Sequence, residues 1–156
     1  MRTVSNWTHV AAIFRVDQLI LPGMKRPSIE DMFGKVIPDY EWSLDEGVRE
    51  TEEYKAAEKA NQDAWDEYEE HPELFVPTGS EGSLQMSVWE NPDSHCLAAL
   101  TVSVFGDLRD HDSIEDVVEW FSRCCEKAWI RQAIIDIENE RYGNKQVVYR
   151  SGDDDD

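Results

Sequence analysis

The chain has 156 residues, 40% of them hydrophobic, and a formal net charge of −19 from 34 acidic and 15 basic residues. That length supports one domain with a real core and not two; the charge excludes nucleic-acid binding through phosphate neutralisation, disfavours anionic membranes and makes a basic partner the natural complement. No stretch approaches the roughly 18 apolar residues that cross a bilayer, and the N-terminus lacks the apolar centre of a signal peptide, so a cytoplasmic location is expected.

"NWTHVAAIFRVDQL" alternates at Val10, Ala12, Phe14 and Val16, which predicts a first strand. From Pro22 to Leu44 the prolines and mixed polarity predict loop, with a short helix at "SIEDMFGK", where Ser28 and Asp31 have capping-box spacing. "GVRETEEYKAAEKANQDAWDEYEEHP" then predicts one long helix, closed by Pro72, with a thin apolar stripe of Tyr54, Ala57, Trp65 and Tyr68. "LQMSVWEN" puts Leu84, Met86 and Val88 on one side, and "CLAALTVSVFGD" does the same with Leu100, Val102 and Val104. The intervening "NPDSH" is turn chemistry, so the two predict an antiparallel hairpin. Ile114, Val117, Val118, Phe121, Cys125 and Ala128 mark one face of a helix. "RQAIIDIENE" and "KQVVYR" flank "RYGN" as a second hairpin, and residues 151–156 read as a disordered acidic tail.

This order matches a ferredoxin-like βαββαβ sandwich of class α+β. It has an antiparallel sheet, helices on one face and an added C-terminal hairpin strand. Residues 1–150 form one domain, with an acidic helical insertion at about 28–73. The architecture carries no single chemistry. Its uncovered sheet face would hold Ile13, Trp89, Phe105 and Ile134 among polar residues, either as a solvated surface or as a partner or homodimer interface.

The candidate chemistry is sparse. Asp107, Asp110, His111 and Asp112 bear metal-ligand groups, but their spacing matches no EF-hand loop. Asp112 or Ser113, paired with Glu115 or Asp116, instead suits a helix cap. His95, Cys96, Cys124 and Cys125 lack any CxxC spacing, and three cysteines make no disulfide framework, which fits a reducing compartment. "TGSEGS" has neither the Walker lysine nor the GxSxG elbow, so a turn is its expected use. No catalytic residue, metal or cofactor is expected.

The acidity is regional. Residues 30–73 hold 16 acidic against four basic residues, and residues 107–119 hold six against one. On the long helix Asp63, Asp66, Glu67 and Glu70 fall one turn apart, giving carboxylate rows about 5–6 Å apart, comparable to phosphates along a strand. Glu52, Glu53, Asp107 and Asp110 complete the candidate partner-binding set. In size, charge and the stretch from Glu30 to Glu73, the chain resembles a class of small acidic phage-encoded proteins that imitate nucleic acid, among them anti-restriction and anti-CRISPR inhibitors. The resemblance implies that it occupies the cationic surface of a nucleic-acid-binding enzyme or defence complex without catalysis. The alternative is a small-molecule or nucleotide-binding protein, possible enzyme chemistry included, on a ferredoxin-like dimer that uses the "TGSEGS" loop and the open face around Trp89 and Phe105.

Overall fold

The computed structural model describes residues 5–17, 28–80, 83–90, 98–111, 113–127 and 130–151. Period-two alternation of apolar residues produces strands β1 (Trp7–Asp17), β2 (Gln85–Glu90), β3 (Ala98–Arg109), β4 (Ile130–Asn139) and β5 (Gly143–Arg150). They form one sheet in the order β2-β3-β1-β4-β5, antiparallel at every step. Together with the four α-helices among the described residues this makes an α+β protein.

One face of the sheet is the core. Val10, Ala12, Phe14 and Val16 of β1, Leu100, Val102, Val104 and Leu108 of β3, and Ala133, Ile135 and Ile137 of β4 are all buried. Helix α4 (Ile114–Lys127) covers them with Ile114, Val117, Phe121 and Cys125, as the helical spacing requires. Trp120 and Cys124 are buried as well, which widens that stripe. The short helix α1 (Ile29–Phe33) supplies the reason: the Trp120 indole N–H donates to the Phe33 carbonyl at 2.8 Å, and Phe14 packs against Phe33, Trp120 and Phe121. Ser28 caps α1 by accepting from the Asp31 N–H at 3.1 Å, and Ser113 caps the first turn of α4 by accepting from the Asp116 N–H at 3.2 Å. Ala128 of the expected helix face, Asp112, and the "NPDSH" turn with His95 and Cys96 lie outside the described residues, as does the segment from Gly152 onward.

Three expectations change. The long helix is not continuous: α2 (Glu46–Arg49) stops at Glu50, and α3 (Glu52–Glu70) begins afresh, with the Thr51 hydroxyl accepting from the Tyr54 N–H at 3.2 Å. A threonine with an acidic first turn is a good helix start, and this local cap wins over continuation. Second, α3 does not cover the sheet. It packs on α2 and on the tight turn Pro72–Leu74, held by Tyr68 against Phe75, Tyr54 against Tyr40, and the Asn61 amide donating to the Pro38 carbonyl at 2.7 Å. Third, Val88 faces the core side beside Val102 but stays exposed, because β2 is an edge strand and α4 lies towards β4 and β5.

Of the "TGSEGS" segment, Glu81 and Gly82 lie outside the described residues, while Gly79, Ser80 and Ser83 make contacts that hold the fold. A Cβ on Gly79 would stand 2.6 Å from the Arg109 carbonyl oxygen, so only glycine allows this approach. Next to it the Ser80 N–H donates to that carbonyl at 2.9 Å, and the Ser83 hydroxyl accepts from the Ile37 N–H at 2.9 Å. Among the described residues no helix is long and apolar enough to cross a membrane.

Candidate protein-interaction surfaces

Helix α3 carries the densest acidity, and its winding separates its carboxylates by use. At about 100° per residue, Glu52, Asp63, Asp66 and Glu70 lie opposite the buried Tyr54, facing solvent. Lys55 and Lys59 share that side nearer the N-terminus, so the uncompensated charge gathers in the C-terminal half. Asp63 pairs with Lys59 at 2.9 Å, and Asp66 accepts from the Gln62 amide at 3.0 Å. Glu67 is half-buried and forms an ion pair with Lys35, whose pKa that hydrogen bond raises. Glu67 therefore fastens α3 to the body, while Glu70 has no partner among the described residues. Glu52 and Glu53 occupy the first turn, where negative charge complements the helix dipole. The other end is the reverse: Glu67, Glu69 and Glu70 fill the last turn, which holds no basic residue.

The structure does not bring Asp107 and Asp110 to this helix. Asp107 lies on the open sheet face, 2.6 Å from His9 Nδ1, with Glu140 3.5 Å from the other ring nitrogen. The Asp107 hydrogen bond holds the His9 pKa above its ordinary value, helped by the charges of Asp107, Glu140 and Glu138 and opposed by partial burial. Asp110 is turned into a strained loop with φ of 55°. Its carboxylate accepts from the Asn6 N–H at 3.3 Å and from the Ser80 hydroxyl at 3.4 Å, and its own N–H donates to the Asn6 carbonyl at 2.6 Å. The acidic knot is thus divided between an ion pair on the face and a loop clamp. Behind it lies a network that sequence reasoning missed. The buried Asn139 amide donates to the Thr8 hydroxyl at 2.8 Å, Thr8 donates to the His111 carbonyl, and the Asn139 oxygen accepts from the N–H groups of Arg141 and Tyr142.

The open sheet face is the second surface, and strand register arranges it in rows. Trp89, Thr101, Arg15, Gln132 and Arg150 lie side by side across the five strands. The next row is Ser87, Ser103, Ile13, Ile134 and Val148; then come Gln85, Phe105, Ala11, Asp136 and Gln146. Asp107, His9, Glu138 and Asn144 form the last. Ile13 (45% exposed), Phe105 (46%), Ile134 (43%), Trp89 and Val148 (58% each) are open to solvent. One end of the face is therefore cationic, the middle partly apolar and the other end acidic. At the cationic end, Arg15 and Arg150 flank a shallow depression of about 260 Å³ over Ile13, Ile134 and Val148, and Arg131 joins Arg150 around a neighbouring one. Among the described residues, none of these three guanidiniums has a carboxylate partner.

Cys124 and Cys125 point into the core, and burial pushes both thiols up to about 12, the opposite of an activated nucleophile. Among the described residues no group of three or more His, Cys, Asp or Glu side chains is placed to hold a metal ion. No protein-family model, curated protein sequence or solved structure matches this chain.

Proposed function

We propose that the protein is an acidic binding module whose helix α3 occupies the cationic, nucleic-acid-binding surface of a partner protein, in the manner of a nucleic-acid mimic of the phage-inhibitor type. One observation carries this: three glutamates crowd the last turn of α3, the helix has no basic residue of its own there, and Lys35 pairs with Glu67 alone, leaving Glu69 and Glu70 at the negative helix end. Folding alone does not favour that placement, since like charges one turn apart repel and the dipole adds to the cost. A basic partner supplies the missing compensation. The position of α3 supports the same reading: packed beside the sheet and not on it, the helix offers its acidic side without disturbing the core.

We also propose that β1, β2, β3 and β4 with α4 form a ferredoxin-like unit. Support comes from the antiparallel order β2-β3-β1-β4, in which β3 lies between β1 and its crossover partner β2. Strand β5 then extends the edge, and α1 takes the place of a full first helix.

The binding proposal is tested by capture from a lysate of the source cell at low and moderate salt. Basic nucleic-acid-binding proteins should be retained at low salt, released as ionic strength rises, and displaced by duplex DNA. Retention that ignores both salt and DNA rejects the mimic.

A further inference from the structure

We infer that the open face of the sheet is a self-association surface, on which a second copy packs face to face with its strands reversed, so that the arginine row of each copy lies over the acidic row of the other. The face carries the two features such a contact needs. Its middle is partly apolar, with Ile13 and Ile134 adjacent in register and Phe105 and Val148 nearby, all more than two-fifths exposed. Its two ends are opposite in sign: Arg15 and Arg150 at one, Asp107 and Glu138 at the other.

Symmetry then selects the arrangement. Two identical faces meet through a two-fold axis lying in the interface. With the axis along the strands, each row would meet itself and arginine would face arginine. With the axis across the strands, the row order reverses. Arg15 and Arg150 then approach the partner's acidic row, and the row of Ile13, Ile134 and Val148 meets the row of Phe105, Ala11, Asp136 and Gln146. Charge complementarity of this kind fixes register and orientation more than raw affinity. Five strands about 4.8 Å apart and four rows about 6.8 Å apart give a footprint of roughly 24 by 27 Å, near the lower end of the 600–1,000 Å² or so per partner of a standard interface. The surface is separate from α3, so this inference stands or falls independently of the proposed partner.

The test is sedimentation of the full chain at about 0.1 mM, where a micromolar dimer is nearly saturated. Three variants are compared by circular dichroism and association: Arg15→Glu with Arg150→Glu, Asp107→Lys with Glu138→Lys, and all four substitutions in one chain. The unaltered protein should dimerise, and each one-row reversal should weaken the dimer at least tenfold. The four-fold variant should recover it, because reversed rows again meet opposite charges. A monomeric unaltered chain, one-row reversals that dimerise normally, or a folded four-fold variant that stays monomeric would each overturn the inference. So would a dimer that Ile134→Asp leaves intact.

Discussion

The Asn139 side-chain amide donates to the Thr8 hydroxyl across 131 residues of sequence, at 2.8 Å and fully inside the protein. This bond joins β1 to the end of β4, and the Asn139 oxygen accepts the Arg141 and Tyr142 N–H groups of the β4–β5 turn. Replacing Asn139 with leucine removes the acceptor of both turn N–H groups and the donor to the Thr8 hydroxyl, which keeps its own bond to the His111 carbonyl. The variant should lose about 2–3 kcal/mol, since three hydrogen bonds go and each is worth of order 1 kcal/mol net. Urea denaturation checks this; an unchanged midpoint would mean that water replaces the amide.

Phe121 is 1% exposed and packs on Phe14 beneath the sheet. Phe121→Ala should cost about 3–5 kcal/mol, a large share of a small domain's stability. A thermal melt reads the result directly. Trp120→Phe should be milder, because it keeps the ring but leaves the Phe33 carbonyl without its 2.8 Å donor.

How far these features could be read from sequence depends on how local their causes are. The alternation in β1, the Ser28 cap and the helical phase of Ile114, Val117 and Phe121 are set by neighbours within a few residues, and each appears as expected. Even the membership of the open face follows from period two, as Ile13, Phe105 and Ile134 show. The burial of Trp120 is tied to α1, which docks from about ninety residues away and which no periodicity within α4 encodes. The break at Thr51 was hidden because the same residues suit both a cap and a continuous helix. The rows of opposite charge arise only once strand register places Arg15 beside Gln132 and Arg150, and His9 beside Asp107 and Glu138.

The His9–Asp107 pair gives a pH prediction with a definite sign. Because the folded-state pKa of His9 is raised, its protonation favours the fold. That contribution is complete below the unfolded value of about 6.5 and is lost as pH rises through the higher folded value. NMR titration of the imidazole should therefore give a midpoint above 6.5 in the native protein. Asp107→Asn should bring it down. A titration indifferent to that substitution would remove Asp107 as the main cause.

Buried thiols with pKa values near 12 are almost wholly protonated at neutral pH, and the thiolate is the reactive form. Cys124 and Cys125 should resist iodoacetamide in the native protein and label promptly in urea, as peptide mass mapping would show. Native labelling of either at the rate of a free thiol would contradict their place in the core.

Helix α3 separates stability from binding most sharply. Glu69→Gln with Glu70→Gln removes charge from the unfavourable helix end and breaks no ion pair or side-chain hydrogen bond among the described residues, so it should stabilise the protein by about 0.3–1 kcal/mol. Glu67→Gln should do less or the opposite, since Glu67 also holds Lys35. Neutralising Asp63, Asp66, Glu67 and Glu70 together combines relief of repulsion with loss of the Lys35 and Lys59 pairs, leaving a folded chain of similar stability. Its association with a cationic partner should nonetheless slow markedly, with a weaker dependence on salt, because steering charge acts mainly on the association rate. Stopped-flow binding across a salt series measures both. If the four-fold variant binds as fast as the unaltered protein at every ionic strength, α3 is a solvated face and the partner contacts another surface.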